Sequence, residues 1–202
     1  MGSIFEELEK KFSRFPGIGE RQAKRFVYFL LSAGESYRKN LSLDIENIGK
    51  SIKVCKSCFR FFESTRNDIC EICSNEKIDK TTLLIVASDS DMKVIKTSGS
   101  YAGRYFILGG LINIPDDGTR KFVRIAEMLE RIKNYKNDGL IEVILAFPAH
   151  AHGEYTDLVI RKEINNLNLD IKVSTLGRGL SSGLEIEYSD PETIKNALSG
   201  RS

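Results

Sequence analysis

The most informative stretch of this chain is residues 54–74, which read VCKSCFRFFESTRNDICEICS. This segment holds all four cysteines of the chain, as two Cys-x2-Cys pairs separated by eleven residues: Cys55, Cys58, Cys70 and Cys73. Each pair presents two sulfurs to one point, and two such pairs complete a tetrahedron around Zn²⁺. Because all four ligands are thiolates, no coordination position remains for water. The spacing therefore predicts a structural zinc site rather than a catalytic one.

Two other interpretations of the cysteines are weaker. Disulfides need an oxidising compartment, and the first residues, MGSIFEE, do not read as a secretory signal peptide. A redox Cys-x2-Cys usually stands alone beside a βαβ unit. A zinc ion would replace the hydrophobic core that so short a segment lacks, with a binding free energy on the order of 10–16 kcal/mol in zinc-finger peptides.

The composition is that of a soluble globular protein. The chain has 202 residues, of which 41% are hydrophobic and 29% charged, with a formal net charge of +2. This length suits one large domain or two to three small ones. No apolar run is long enough to cross a bilayer, and with no leader evident we expect a cytoplasmic protein. Positive charge is concentrated in residues 10–25, where six basic residues face the single acid Glu20.

A helix-hairpin-helix motif is predicted around residues 15–19, which read FPGIG. Apolar periodicity predicts one helix over 3–14 and a second that begins near Glu20 and ends at Ala33-Gly34. Gly17 and Gly19 permit a tight turn and a close approach of another chain. A Gly-rich turn between two packed helices is the plain alternative.

Basic residues directly behind this turn favour contact with nucleic acid. The amides of the turn and of the following helix start can hold a phosphate oxygen. The candidate DNA-binding residues are Gly17, Gly19, Arg21, Lys24 and Arg25. Phosphates carry no base identity, so the predicted binding is independent of DNA sequence.

The remainder of the chain alternates between strands and helices. Strands are predicted at 83–87, 105–108, 142–146 and 171–174, with helices near 89–98, 122–132 and 153–166. This alternation predicts a parallel sheet with helices on both faces. A third N-terminal helix is expected over 37–52. Residues 184–188 alternate as an extra strand would, and Pro191 is expected to begin a last short helix.

The carboxyl ends of the strands are the place to look for an active site. A Mg²⁺ phosphoryl-transfer site would need converging carboxylates, for which Asp89, Asp91 and Glu154 are the candidates. Asp89 and Asp91 fit a helix start better, where acids complement the dipole. His150 and His152 are better explained as solvated or protein-contacting side chains than as metal ligands. Arg178, in Gly-Arg-Gly, contacts phosphate or a partner, or only marks a bend.

The order of these motifs resembles the RecR family of bacterial recombination mediators over essentially the whole chain. The resemblance is carried by FPGIG at 15–19, the four cysteines, YAGRY at 101–105, LGGL at 108–111, VSTLGRGL at 173–180 and GLEIEY at 183–188. Each motif alone is unspecific, but their order is highly specific.

The resemblance implies a Toprim-type α/β domain, dimers and ring-like tetramers that can encircle DNA, and action with RecO or RecF to help RecA displace single-strand-binding protein. It places DNA contacts at Arg21 and Arg25 and zinc on the four cysteines. The chain departs from the family at Ser88 and His152, where a Glu is usual, and at Pro148, where an Asn is usual. These changes make a bound Mg²⁺ less expected and put the detail of the RecO contact in question.

The sequence thus predicts a multi-domain α+β protein. Its parts are a helix-hairpin-helix domain (1–53), a four-cysteine zinc finger (54–74), a Toprim-like α/β domain with a parallel sheet (81–176) and a short strand-helix tail (177–202). The predicted function is a DNA-binding mediator of recombinational repair that is not an enzyme. The alternatives are a metal-dependent Toprim phosphoryl-transfer enzyme of the nuclease or primase type, and a protein scaffold whose basic cluster is incidental.

Overall fold

The computed structural model describes residues 3–64, 66–114, 118–177, 186–189 and 191–199. The chain divides into two compact units, residues 1–53 and residues 54–202. In the described part of the chain no helix has the length and apolar character that a bilayer crossing requires.

The first unit is built from three helices, α1 (Ile4–Phe12), α2 (Glu20–Ser32) and α3 (Glu35–Ser51). Ser3 begins α1 with a capping box, because its hydroxyl accepts from the Glu6 amide while the Glu6 carboxylate accepts from the Ser3 amide. Aromatic edge contacts join α1 to α2, with ring centroids 5.2 Å apart for Phe5 and Tyr28. Burial is sparse, since Ala23 and Val27 are the only described residues of this unit that are buried.

The second unit contains a four-stranded, wholly parallel sheet. Its strands and helices are β3 (Asp79–Val86), α4 (Asp89–Ser98), β4 (Gly103–Ile107), α5 (Ile125–Lys136), β5 (Glu142–Ala146), α6 (Ala151–Asn165), β6 (Lys172–Thr175) and α7 (Pro191–Ser199). The strands lie in the order β4-β3-β5-β6. A separate two-stranded sheet pairs β1 (Ile52–Val54) with β2 (Phe61–Glu63).

Successive residues of β3 point to opposite faces of the sheet, and helices cover both. Leu83 and Ile85 pack in a cluster that includes Met128 and Ile132 of α5 and Ile160 of α6. The alternate residues Leu84 and Val86 pack with Met92 of α4. This is why residues 83–87 form a continuous apolar run, as expected for a strand that is buried on both faces.

Two sequence predictions need correction here. The predicted helix near 122–132 begins only at Ile125, because Thr119–Phe122 form a 3₁₀ turn. Residues 186–188, predicted as part of an extra strand, also form a 3₁₀ turn. A strand is stabilised by a paired neighbour, and none of the described strands pairs with them; residues 184 and 185 lie outside the described part. The last helix begins at Pro191, as predicted.

Candidate nucleic-acid interface and metal centre

The turn between α1 and α2 is held by its own backbone. The Phe15 amide donates to the Phe12 carbonyl and the Ile18 amide donates to the Phe15 carbonyl, each at 3.0 Å. Gly17 has φ +76°, in the left-handed region that side chains disfavour. Gly17 is therefore required by the shape of the turn itself.

Gly19 is not required in that way. It caps α2 with φ −84°, which any residue can adopt, and an added Cβ would meet no atom within 4 Å. It provides no side-chain cap, so the amides of Glu20 and Arg21 have no hydrogen-bond partner among the described residues. Unpaired amides at a helix start, with the positive end of the helix dipole, form a place where an anion can bind.

The predicted DNA-binding cations lie on the exposed surface of α2, in different local surroundings. Arg21 has no ion pair in the described residues, and Arg25 makes only a long hydrogen bond of 3.4 Å to the Gln22 side chain. Lys24 pairs with Glu9 of α1 at 3.6 Å. Arg21 and Arg25 are four residues apart, so they share one face of the helix. That face and the open amides form the hairpin surface, defined here as Gly17, Gly19, Arg21 and Arg25.

In the second unit the four cysteines converge as predicted, and they can bind a metal ion. Their sulfurs all lie within 4.8 Å of one another, and they are the only group of three or more His, Cys, Asp or Glu ligands found in the described residues. All four are free thiols, and the Cys58 and Cys70 sulfurs are 3.7 Å apart, too far for a disulfide. Cys55, Cys58 and Cys70 are fully buried.

The sulfurs interact strongly enough to shift their proton equilibria. Hydrogen bonds from the Cys58 and Cys70 thiols lower the pKa of Cys55, while the same contact with Cys55 raises the pKa of Cys58. Without an ion, one thiolate is therefore stabilised by neighbours that must keep their protons. A divalent cation removes this competition, because each metal ligand is a thiolate.

The cysteine segment, residues 55–73, is fastened to the sheet by contacts distant in sequence. The Ile107 amide donates to the Cys58 carbonyl at 2.8 Å. The Arg131 guanidinium donates to the Lys56 carbonyl at 2.8 Å, and the hydroxyls of Ser57 and Tyr135 are 2.8 Å apart. Burial raises the pKa of Tyr135, which keeps its hydroxyl protonated and able to donate. These anchoring side chains on α5 carry no sequence motif, and the sequence prediction missed them.

The candidate acids serve the backbone. Ser88 and Asp91 form a capping box at the start of α4, and the Asp89 carboxylate accepts from the Phe61 amide at 2.8 Å. Both acids thus have the helix-start position that the sequence favoured. They do not join Glu154 in a metal-binding cluster of the described residues.

The two histidines also accept backbone hydrogen bonds. His150 caps α6 by accepting from the Gly153 amide at Nδ1, and His152 accepts from the Ile114 amide at Nδ1. Neither histidine belongs to a group of three or more potential metal ligands in the described residues. Arg178 lies outside the described residues.

Three curated relatives match almost the whole chain, and each is named Recombination protein RecR. The protein from Dehalococcoides mccartyi is 34% identical, covering 96% of this chain and 92% of the relative. The Brachyspira hyodysenteriae protein is 32% identical, with coverage of 97% and 94%. The Bdellovibrio bacteriovorus protein is 31% identical, with coverage of 98% and 97%. No family model matches the chain.

Proposed function

The chain belongs to the RecR family of recombination proteins, and on that premise we propose that it is a DNA-binding mediator of recombinational repair that catalyses no reaction itself. It would bind the sugar-phosphate backbone through the hairpin surface and act in the cytoplasm. Its partners would be RecO-like or RecF-like repair proteins, with which it promotes loading of RecA at single-stranded gaps.

One observation carries the proposal: α2 begins with two unpaired amides and no side-chain cap, directly followed by exposed arginines. Arg21 lies in the first turn of α2, where a cation is unfavourable because the helix dipole is positive, and the Glu20 carboxylate in the same turn offsets part of that penalty. A phosphate group removes that penalty and also accepts from the amides. The start of α2 is therefore more stable with a bound anion than without one.

The test is the salt dependence of DNA binding in the Arg21→Ala, Arg25→Ala double variant. Each lost phosphate contact should flatten the slope of log K against log salt by about 0.9 on duplex and about 0.7 on single strands. The control is Lys39→Ala with Lys133→Ala, which removes two exposed charges that are not part of the hairpin surface. An unchanged slope in the arginine variant would exclude the hairpin surface from DNA binding.

We assign the metal as structural zinc held by Cys55, Cys58, Cys70 and Cys73. Zinc bonded to sulfur at about 2.3 Å places tetrahedral ligands about 3.8 Å apart. The Cys58–Cys70 separation of 3.7 Å fits that edge. Bound there, the ion would supply cross-linking and no reactive water, because the four thiolates fill its coordination sphere.

The proposed assembly is a homodimer or a homotetrameric ring that encloses DNA. Its support is the apolar surface of the first unit: α3 has no buried residue, and Ile45 and Ile48 are 65% and 64% exposed. A second copy covering this surface would remove the side chains from water. Several hairpin surfaces around one DNA molecule would then raise avidity without any new contact.

The enzyme alternative requires carboxylates that are available to bind Mg²⁺. Asp89 and Asp91 would have to give up their backbone hydrogen bonds to hold Mg²⁺. Incubation of the purified protein with DNA, Mg²⁺ and nucleotides distinguishes the two functions. Cleavage or synthesis that disappears in Asp89→Asn with Glu154→Gln would establish the enzyme and refute the mediator.

A further inference from the structure

A cleft in the second unit carries exposed side chains, among them Phe61 and Lys93, that belong neither to the cysteine cluster nor to the core clusters of the sheet. It has a volume of about 570 Å³ and lies between β2 and α4. Its lining includes Arg60, Phe61, Asp89, Met92, Lys93 and Lys96. We refer to it as the Phe61 cleft.

Phe61 is the residue that stands out. Its neighbour Phe62 is 7% exposed and packs with the cysteines, whereas Phe61 points the other way along the strand and is 56% exposed. The backbone at Phe61 is fixed, because its amide donates to Asp89 at the start of α4. The result is a flat aromatic ring that is held in place yet open to solvent.

Cationic side chains line the same cleft as the Phe61 ring. Lys93 and Lys96 project from neighbouring positions on α4, since residues three apart share a helix face. Arg60 and Lys96 are both held by Glu71, at 2.6 Å and 3.1 Å. Lys93 has no ion pair in the described part of the chain. Counting Arg60, Lys93 and Lys96 against Glu71 and Asp89 leaves a net charge of +1.

We propose that the Phe61 cleft is a second nucleic-acid site, which binds one or two nucleotides of a single strand. A base stacks on the Phe61 ring, and Lys93 and Lys96 hold the adjacent phosphates. Stacking on an aromatic ring tolerates any base, because every base has a π-face. In a duplex both faces of each base are already stacked, so the cleft selects single strands over duplex.

This site is separate from the hairpin surface and goes beyond the proposed function. The hairpin surface contacts phosphate only and therefore accepts single and double strands alike. The Phe61 cleft adds a reason for the protein to remain on single-stranded DNA.

The test is binding of fluorescent oligo(dT) and of a duplex of equal length to the full-length protein. Phe61→Ala and Phe61→Leu should each weaken oligo(dT) binding about tenfold and leave duplex binding unchanged, since stacking contributes about 1–3 kcal/mol per base. Lys93→Gln should flatten the oligo(dT) salt slope by about 0.7. The matched control for the Phe61 variants is Val94→Ala, which removes an exposed apolar side chain of α4. The control for Lys93→Gln is Lys162→Gln on α6.

The variants are measured both in the wild-type protein and in the Arg21→Ala, Arg25→Ala variant, with zinc content and thermal midpoint as folding checks. A 5-bromouridine oligonucleotide should also cross-link at Phe61. The proposal is overturned if Phe61→Leu retains wild-type oligo(dT) binding, or if the Phe61 variants match the Val94→Ala control. It is equally overturned if they lose only the binding of an oligoglutamate peptide, which would mark an acidic-peptide site. A wild-type protein that binds no DNA refutes the proposed function as well, whereas normal hairpin effects with silent Phe61 variants refute this inference alone.

Discussion

The cysteine segment and the hairpin surface, the two candidate sites of the molecule, differ in whether their polar groups are hydrogen-bonded within the protein. In the cysteine segment the groups satisfy one another: the Cys55 sulfur accepts from the Cys70 amide, and the Cys58 carbonyl accepts from the Ile107 amide. At the hairpin surface the amides of Glu20 and Arg21 have no hydrogen-bond partner among the described residues. Satisfied groups stabilise a fold, whereas open groups on a rigid turn are available to a ligand.

This difference implies different responses to mutation. A change in the cysteine segment should act on stability first and on DNA binding only through the fold. A change at Gly19, Arg21 or Arg25 of the hairpin surface should act on DNA binding with little cost, or even a gain, in stability, whereas Gly17 also fixes the shape of the turn.

The largest effect is expected from Cys58→Ser. It removes one of the four proposed zinc ligands, and the binding free energy of a structural zinc is on the order of 10 kcal/mol, so we expect a loss of several kcal/mol in the free energy of unfolding. Metal content and urea unfolding measure it, with Ser74→Ala beside the segment as the control. A variant that kept stoichiometric metal and the wild-type midpoint of urea unfolding would show that the cysteine segment does not stabilise the fold through Cys58.

A smaller effect is expected from Gly17→Ala. The new Cβ meets no neighbouring atom, so the whole cost of about 1–2 kcal/mol comes from φ +76°. Gly49→Ala, inside α3, is the matched control and should instead stabilise by about 0.5–1 kcal/mol. Thermal unfolding of the two variants tests this; equal shifts would show that the turn does not depend on the left-handed glycine.

The smallest effect on stability is expected at Gly19, and this change tests most directly whether the amides at the start of α2 bind phosphate. Gly19→Ser supplies the missing cap of α2 and should stabilise the helix by a few tenths of a kcal/mol. The new hydroxyl then accepts from the Arg21 amide, one of the two amides that a phosphate would use, so DNA affinity should fall severalfold. Gly34→Ser is the control, because Gly34 also caps a helix, α3, without a side-chain hydrogen bond. Loss of affinity in both variants, or in neither, would contradict the assignment of these amides to phosphate.

The sequence predicted the parts of the fold that depend on neighbours in the chain. The spacing of Cys55, Cys58, Cys70 and Cys73 was enough for the metal site, since chelation geometry is local. The apolar run at 83–87 predicted the doubly buried strand. The periodicity failed at Phe122, which fits a helical stripe but lies in a 3₁₀ turn and is 83% exposed.

The remaining features depend on contacts that no local pattern encodes. Arg131 meets Lys56 across 75 positions, and Tyr135 meets Ser57 across 78. Similarly, Lys24 reads as one of the cations behind the hairpin, but only the fold brings Glu9 to it. Its role in DNA binding stays a prediction.

The proposed binding of DNA phosphate depends most on the unpaired amides at the start of α2, and these amides can be observed directly. The measurement is a ¹H–¹⁵N spectrum of the full-length protein titrated with a short DNA, followed at the amides of Glu20 and Arg21. We predict that both resonances move downfield as a phosphate binds, while those of Glu35 and Ser36 at the start of α3 do not. If DNA binds and shifts the resonances of other residues while those of Glu20 and Arg21 stay unchanged, the amides at the start of α2 do not bind phosphate.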